Sequence, residues 1–163
     1  MIVLGIDPGS QATGFSVLHK EKGRFKLIEA GIIRTNSKNS FPKRLLKIHT
    51  ELQEVITKHK PTTGAIESIF AGKSSESALR LGQARGVALL VMAQADLEVT
   101  SYNPMTVKKS VGGHGKAGKK EMIRIVTRLL GLTKDLPSDA ADASAIAITH
   151  FMHASFQRKL RKL

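Results

Sequence analysis

Four carboxylates stand where a folding chain has little reason to put them. Asp7 closes the apolar run Ile2-Val3-Leu4-Gly5-Ile6 and precedes Pro8-Gly9-Ser10, a turn sequence. Glu67 closes a second short apolar run, after Ala65-Ile66. Asp139 and Asp142 open an alanine-rich segment, Asp139-Ala140-Ala141-Asp142-Ala143. On a helix that i, i+3 spacing puts both on one face, with β-carbons about 5–6 Å apart. Singly, three of them have modest explanations: a turn former for Asp7, a helix-start acid favoured by the dipole for Asp139, a solvated neighbour for Asp142. Glu67 has none, because a carboxylate ending an apolar strand is costly unless paired or metal-bound. If the two strands are neighbours and the last helix crosses their ends, the four converge. Oxygen donors with no His or Cys partner suit Mg2+, with Mn2+ as a substitute. Two such ions about 3.5–4 Å apart can hold a phosphodiester, activate water and stabilise a leaving oxygen.

The rest of the charge points to a polyanion. The 163 residues carry 26 Lys+Arg against 13 Asp+Glu, a net charge of +13. Such an excess repels itself and usually persists because nucleic acid is the partner. Lys108, Lys109, Lys116, Lys119, Lys120, Arg124 and Arg128 crowd between Met105 and Arg128, opposed only by Glu121. That cluster reads as a phosphate-facing surface. Arg158, Lys159, Arg161 and Lys162 form a short basic tail over 157–163. There are no cysteines, which excludes disulfides and thiolate zinc sites and fits a reducing cytoplasm. No apolar run approaches the roughly 20 residues of a membrane span.

Two patterns mislead. Gly113-His114-Gly115-Lys116-Ala117-Gly118-Lys119-Lys120 nearly matches a phosphate-binding P-loop, but Lys120 replaces the Ser/Thr that would hold Mg2+ and no strand is expected before it. A basic loop closing on DNA backbone suits the same residues. His150 and His153, at i, i+3, are read as satisfied or exposed side chains, since the site already has oxygens enough.

The elements that must position these groups follow from periodicity and turn signals. Ile2–Asp7, Thr13–His19 and Phe25–Ile33 read as an antiparallel meander. A helix is expected from about Pro42 to His59, with Leu45, Ile48, Leu52, Val55 and Ile56 on one face. Then come a strand over Gly64–Glu67, a helix over Ser75–Ala95 and a strand over Glu98–Tyr102. Helices close the chain over Lys119–Leu130 and Ser138–Phe156. Three antiparallel strands followed by strands alternating with helices give an α/β chain, with one mixed five-stranded sheet flanked by helices, in the order ribonuclease H-like folds use. The length suits a single domain, residues 1–156.

Four segments, met in order, resemble the RuvC family of crossover junction endonucleases. They are Gly5-Ile6-Asp7-Pro8-Gly9-Ser10 with Thr13-Gly14; Ala65-Ile66-Glu67 with Phe70; Ala78-Leu79-Arg80-Leu81-Gly82-Gln83-Ala84-Arg85-Gly86; and Asp139 to Ala143 with Ala145 to His150. The resemblance implies a ribonuclease H-like nuclease, a homodimer that nicks four-way (Holliday) DNA junctions symmetrically, and cooperation with a branch-migration helicase. It implies Asp7, Glu67, Asp139 and Asp142 as the catalytic, metal-binding set, in an all-carboxylate version where some relatives have histidine at the position of Asp139. Lys108 and Lys119 match basic residues that support catalysis and DNA binding, with Lys116 and Lys120 beside them. Phe70 matches an aromatic that wedges against bases near the crossover, with ordinary core packing after the strand as the alternative. The first segment also resembles YqgF-like nucleases acting on RNA and the phosphate loop of actin and sugar-kinase ATPases. The latter need two such domains, and the Leu81–Gly86 segment and the position of Glu67 favour RuvC. A non-enzymatic basic DNA-binding module is the rival of another class. Gly82 and Gly86, each costing about 1 kcal/mol inside a helix, mark Ser77 to Val91 as the expected dimer seam, with packing against the sheet as the alternative.

If Phe70 is a wedge, Phe70→Ala keeps fold and junction binding but loses cutting in a gel-based cleavage assay. Full cleavage by that variant would remove the wedge.

Overall fold

The computed structural model describes residues 1–68 and 75–160, with side chains of the last helix through Ala154. The described residues form five strands and five helices, three strands in succession and then helices interleaved with strands, as the meander-then-crossover pattern requires. The strands are β1 (Ile2–Asp7), β2 (Ala12–Glu21), β3 (Arg24–Arg34), β4 (Thr63–Glu67) and β5 (Val99–Tyr102). The helices are α1 (Phe41–His59), α2 (Ser75–Gln94), α3 (Pro104–Gly112), α4 (Lys119–Leu129) and α5 (Ser138–Leu160). Sheet order is β3-β2-β1-β4-β5, with β1–β2 and β2–β3 antiparallel and β1–β4 and β4–β5 parallel. This is the expected mixed, ribonuclease H-like sheet.

β1 is central, and both of its faces are covered, which is why it reads as a continuous apolar run. Strand residues alternate between faces. Leu4 and Ile6 turn toward α1 and α2, meeting Ile48, Leu52, Val91 and Met92. Val3 turns the other way, into a second core with Ala65, Val107, Val126, Ile146 and Phe151 of α3, α4 and α5. By the same alternation Gly5 and Asp7 share Val3's face, and Glu67 shares that of Ala65. Both strand-ending carboxylates are therefore committed to the α5 side before any loop is considered.

α5 comes unusually close to that face. A β-carbon on Gly5 would stand 2.2 Å from the Ala143 carbonyl oxygen, and one on Gly14 would stand 2.0 Å from that of Asp139. Only glycine permits this approach at either position. Between them, Ser144 Oγ donates to Ser16 Oγ at 2.8 Å in a fully buried contact. The small residues Ala140, Ala143 and Ala147 complete the seam.

Several boundaries and one element differ from expectation. α5 runs to Leu160, past Phe156 and into the segment read as a basic tail. β1 has the expected bounds, whereas β2 and β3 are longer than expected by three and two residues. α3 was not expected, because nine mixed residues bear too little periodicity. Its start is nevertheless written locally: Asn103 accepts from Met105 N and Thr106 N, and Pro104 follows at the first helical position. Phe70 lies outside the described residues.

Gly14→Ala should lower stability by about 1–3 kcal/mol, the usual cost of overpacking, and reduce the order of α5. Urea unfolding checks this; a midpoint within error of wild type would contradict the close approach.

Candidate active site

The three aspartates meet. Asp7 at the end of β1 and Asp139 and Asp142 on the first turns of α5 each place a carboxylate oxygen within 4.8 Å of the others'. All three are partly buried. The turn after Asp7 is held from several sides. Thr13 Oγ1 donates to the Gly9 carbonyl at 2.8 Å, and Thr35 Oγ1 to that of Ser10 at 2.8 Å. Arg44, a cation buried in α1, donates to Ser10 O and to Thr35 Oγ1 and lies over the Phe41 ring. The Thr13-Gly14 part of the first motif thus supports the strand end that carries Asp7.

Glu67 comes alongside without joining that cluster. β1 and β4 are paired through Ile6 and Ile66, so Glu67 ends its strand one step beyond the same register point as Asp7. Its charge is the strongest of the neighbouring charges acting on Asp7. Its backbone is fixed by Arg85, whose Nε donates to the Glu67 carbonyl at 2.9 Å while Nη2 donates to Ser101 Oγ at 2.7 Å. Arg85 belongs to the third sequence segment, and holding this strand end is a role sequence reasoning did not assign to it.

The electrostatics are those of a crowded anion site. Burial, then repulsion from Glu67, Asp142 and Asp139, pushes the Asp7 carboxyl up to about 8, against the pull of Lys119. Burial also raises Asp142, opposed by Lys119 and more weakly by Lys108. Lys119 Nζ stands 3.7 Å from Asp142 Oδ2. Lys119 is exposed and Asp142 only partly buried, so the pair adds little stability; its interest is its place. Lys108, on α3, is near enough to act on Asp142. Lys116, in the 113–118 connection, and Lys120, on α4, are exposed and form no ion pair with the cluster. Hard oxygen donors brought together at a cost in self-repulsion fit a divalent cation, whose charge would relieve that cost.

The other candidates separate cleanly. Asp135 accepts from Thr127 Oγ1 at 2.9 Å and takes no part in the cluster. His150 is buried, bonded to Tyr102 Oη at 3.0 Å and Thr63 Oγ1 at 3.3 Å, as a satisfied core histidine should be. The P-loop look-alike follows helix α3 instead of a strand. Among the described residues no helix is long and apolar enough to cross a membrane.

Comparison with known proteins agrees on one family. The family model described as crossover junction endodeoxyribonuclease RuvC matches residues 3–150. A protein so described from Solidesulfovibrio magneticus is 41% identical over 162 residues, covering 99% of this chain and 94% of its own. One from Chloroflexus aurantiacus is 44% identical over 151 residues, covering 92% of each. Among solved structures, T. thermophilus RuvC in complex with a Holliday junction substrate matches with a TM-score of 0.90 at 34% identity, over 96% of both chains.

The raised Asp7 carboxyl makes a signed prediction. In the unfolded chain this group ionises near its ordinary 3.8, in the fold near 8, so the native state holds its proton more tightly and loses stability as pH rises between those values. Asp7→Asn, which cannot ionise, should match wild type near pH 4 in EDTA and unfold at progressively higher temperature than wild type toward pH 8. A gap that does not open with pH would contradict the assignment.

Proposed function

Because the chain belongs to the RuvC family of crossover junction endodeoxyribonucleases, we propose that it resolves four-way (Holliday) DNA junctions by paired, symmetric nicks, through Mg2+-dependent phosphodiester hydrolysis. The observation that carries this reading is the meeting of Asp7 with Asp139 and Asp142, more than 130 residues away in sequence. A basic DNA-binding module would have no use for three mutually repelling carboxylates beneath its cationic surface.

Asp7, Asp139 and Asp142 would hold Mg2+, in two positions if Glu67 completes the set, and Mn2+ would substitute. When bound, the metal supplies the charge that activates water and stabilises the departing 3′ oxygen. The chain's own side chains do the rest. Lys119, exposed and beside Asp142, would take a phosphate oxygen next to the carboxylates, and Lys108 the flanking backbone. Lys116 and Lys120 would add phosphate contacts on the approach. Arg85 and the Arg44–Thr35 network keep the two strand ends from spreading as DNA loads. Phe70 follows Glu67 by three residues in sequence and would wedge against a base near the crossover.

A homodimer would present two equivalent sites to a substrate that is itself nearly two-fold, which accounts for paired cuts. α2 offers the surface. Leu79 and Leu90 are exposed, and among the described residues nothing lies within 4 Å of where a Gly86 β-carbon would stand. Packing among the described residues therefore does not account for that glycine, whereas close approach by a second copy would. Cooperation with a branch-migration helicase and a cytoplasmic location belong to the same reading.

The test is an end-labelled mobile junction incubated with Mg2+, beside a linear duplex and the Glu67→Gln variant. Symmetric, ligatable nicks on the junction alone, lost in a variant that still binds, are expected. Tight junction binding without cutting, in Mg2+ or Mn2+, would leave the binding-module reading standing instead.

A further inference from the structure

The outer face of α4 carries charge that neither folding nor the carboxylate cluster uses. Lys120, Arg124 and Arg128 recur every fourth residue and so share one face. All three are exposed, while Met122 and Val126 are buried on the opposite side. The row spans about 12 Å at 1.5 Å per residue. Among the described residues none of the three forms an ion pair. The helix's own acid, Glu121, is engaged at the helix start and not with the row: it accepts from Gly118 N at 3.3 Å and lies 3.7 Å from His114 Nε2. The placement also works against the helix. Like charges four apart repel, and Lys120 sits at the positive end of the dipole, where a cation is disfavoured. Only Arg128, in the last turn, gains from the dipole.

The row is continuous with the site. Lys119, Lys120, Glu121, Arg124, Ile125 and Arg128 line one open groove along α4, four cations to one acid, and Lys119 at its near end reaches Asp142. A groove that starts at the carboxylates and runs about 12 Å away along unpaired cations matches a duplex backbone leaving the cut. Over that length a duplex presents about seven phosphate charges. Guanidinium forks are suited to phosphate oxygens in a way that point charges are not.

We propose that the α4 row grips the backbone of one junction arm beyond the scissile phosphate, with Arg124 and Arg128 as positioning residues that hold the arm without touching the reacting atoms. This grip presupposes the junction-cutting activity proposed above and adds to it a second, separable contact surface.

The Arg124→Gln/Arg128→Gln protein tests it, on full-arm junctions and on junctions with arms cut short. The slope of log Kd against log salt should shrink by about two, near 0.9 per lost phosphate contact. KM should rise while kcat holds, and Arg124→Lys/Arg128→Lys should keep most of the slope. Short arms should erase the difference between variant and wild type. An unchanged slope on full-arm junctions would overturn the grip, as would an equal slope loss on short arms or a fall in kcat in place of the rise in KM. A wild type that binds with its full slope but cuts nothing would instead sink the activity, and the slope difference would still decide the grip.

Discussion

The close approach of α5 to the middle of the sheet governs this molecule. The Gly5 and Gly14 positions leave no room for a β-carbon against the Ala143 and Asp139 carbonyls, so the helix sits lower over β1 and β2 than ordinary side chains would permit. That depth is what delivers Asp139 and Asp142 to the end of β1. Raising the helix by one methyl layer would keep the fold's topology and separate the aspartates. The buried Ser144–Ser16 hydrogen bond pins the helix against sliding along the sheet. Alternation within β1 and β4 does the complementary job, aiming Asp7 and Glu67 at the same helix.

Bringing these charges together makes the metal-free site electrostatically uncomfortable. The Asp7 carboxyl is pushed up to about 8 by burial and its acidic neighbours. Lys119 relieves part of this and does so weakly, from an exposed position. Functional sites commonly hold such destabilising arrangements, with stability recovered elsewhere. Here it is recovered in two cores, one on each face of the sheet, whose residues lie on α1 and α2 or on α3, α4 and α5. The same economy explains the surface: cations concentrate on α3, α4 and the connection between them, within reach of the carboxylates, where a polyanion would neutralise both.

Much of this was legible from residue types. Asp7 and Glu67 showed themselves as charges ending apolar runs, and the i, i+3 spacing of Asp139 and Asp142 placed them on one helix face. Strand alternation would even have predicted the shared face. What could not be read was contact between distant segments. Arg44 falls on an amphipathic helix where an exposed cation is unremarkable, yet it is buried against the Ser10 carbonyl, 34 residues away. Arg85's hold on the end of β4 is equally non-local. α3 is too short and too mixed in composition to show a helical period, and only Asn103-Pro104 marks its start in the sequence. Glu67's position beside the aspartate cluster, and not within it, is a matter of ångströms that no spacing encodes.

Proton release on metal binding tests the central claim most directly. Mn2+ is titrated calorimetrically into DNA-free protein at pH 7 in buffers of different ionisation enthalpy. If Asp7 is held protonated by burial and its acidic neighbours and must ionise to bind metal, about one proton leaves per site at that pH. The release should vanish well above pH 8 and be absent in Asp7→Asn. Metal binding with no proton release at pH 7, or with release undiminished in Asp7→Asn, would contradict a metal centre built around that carboxylate.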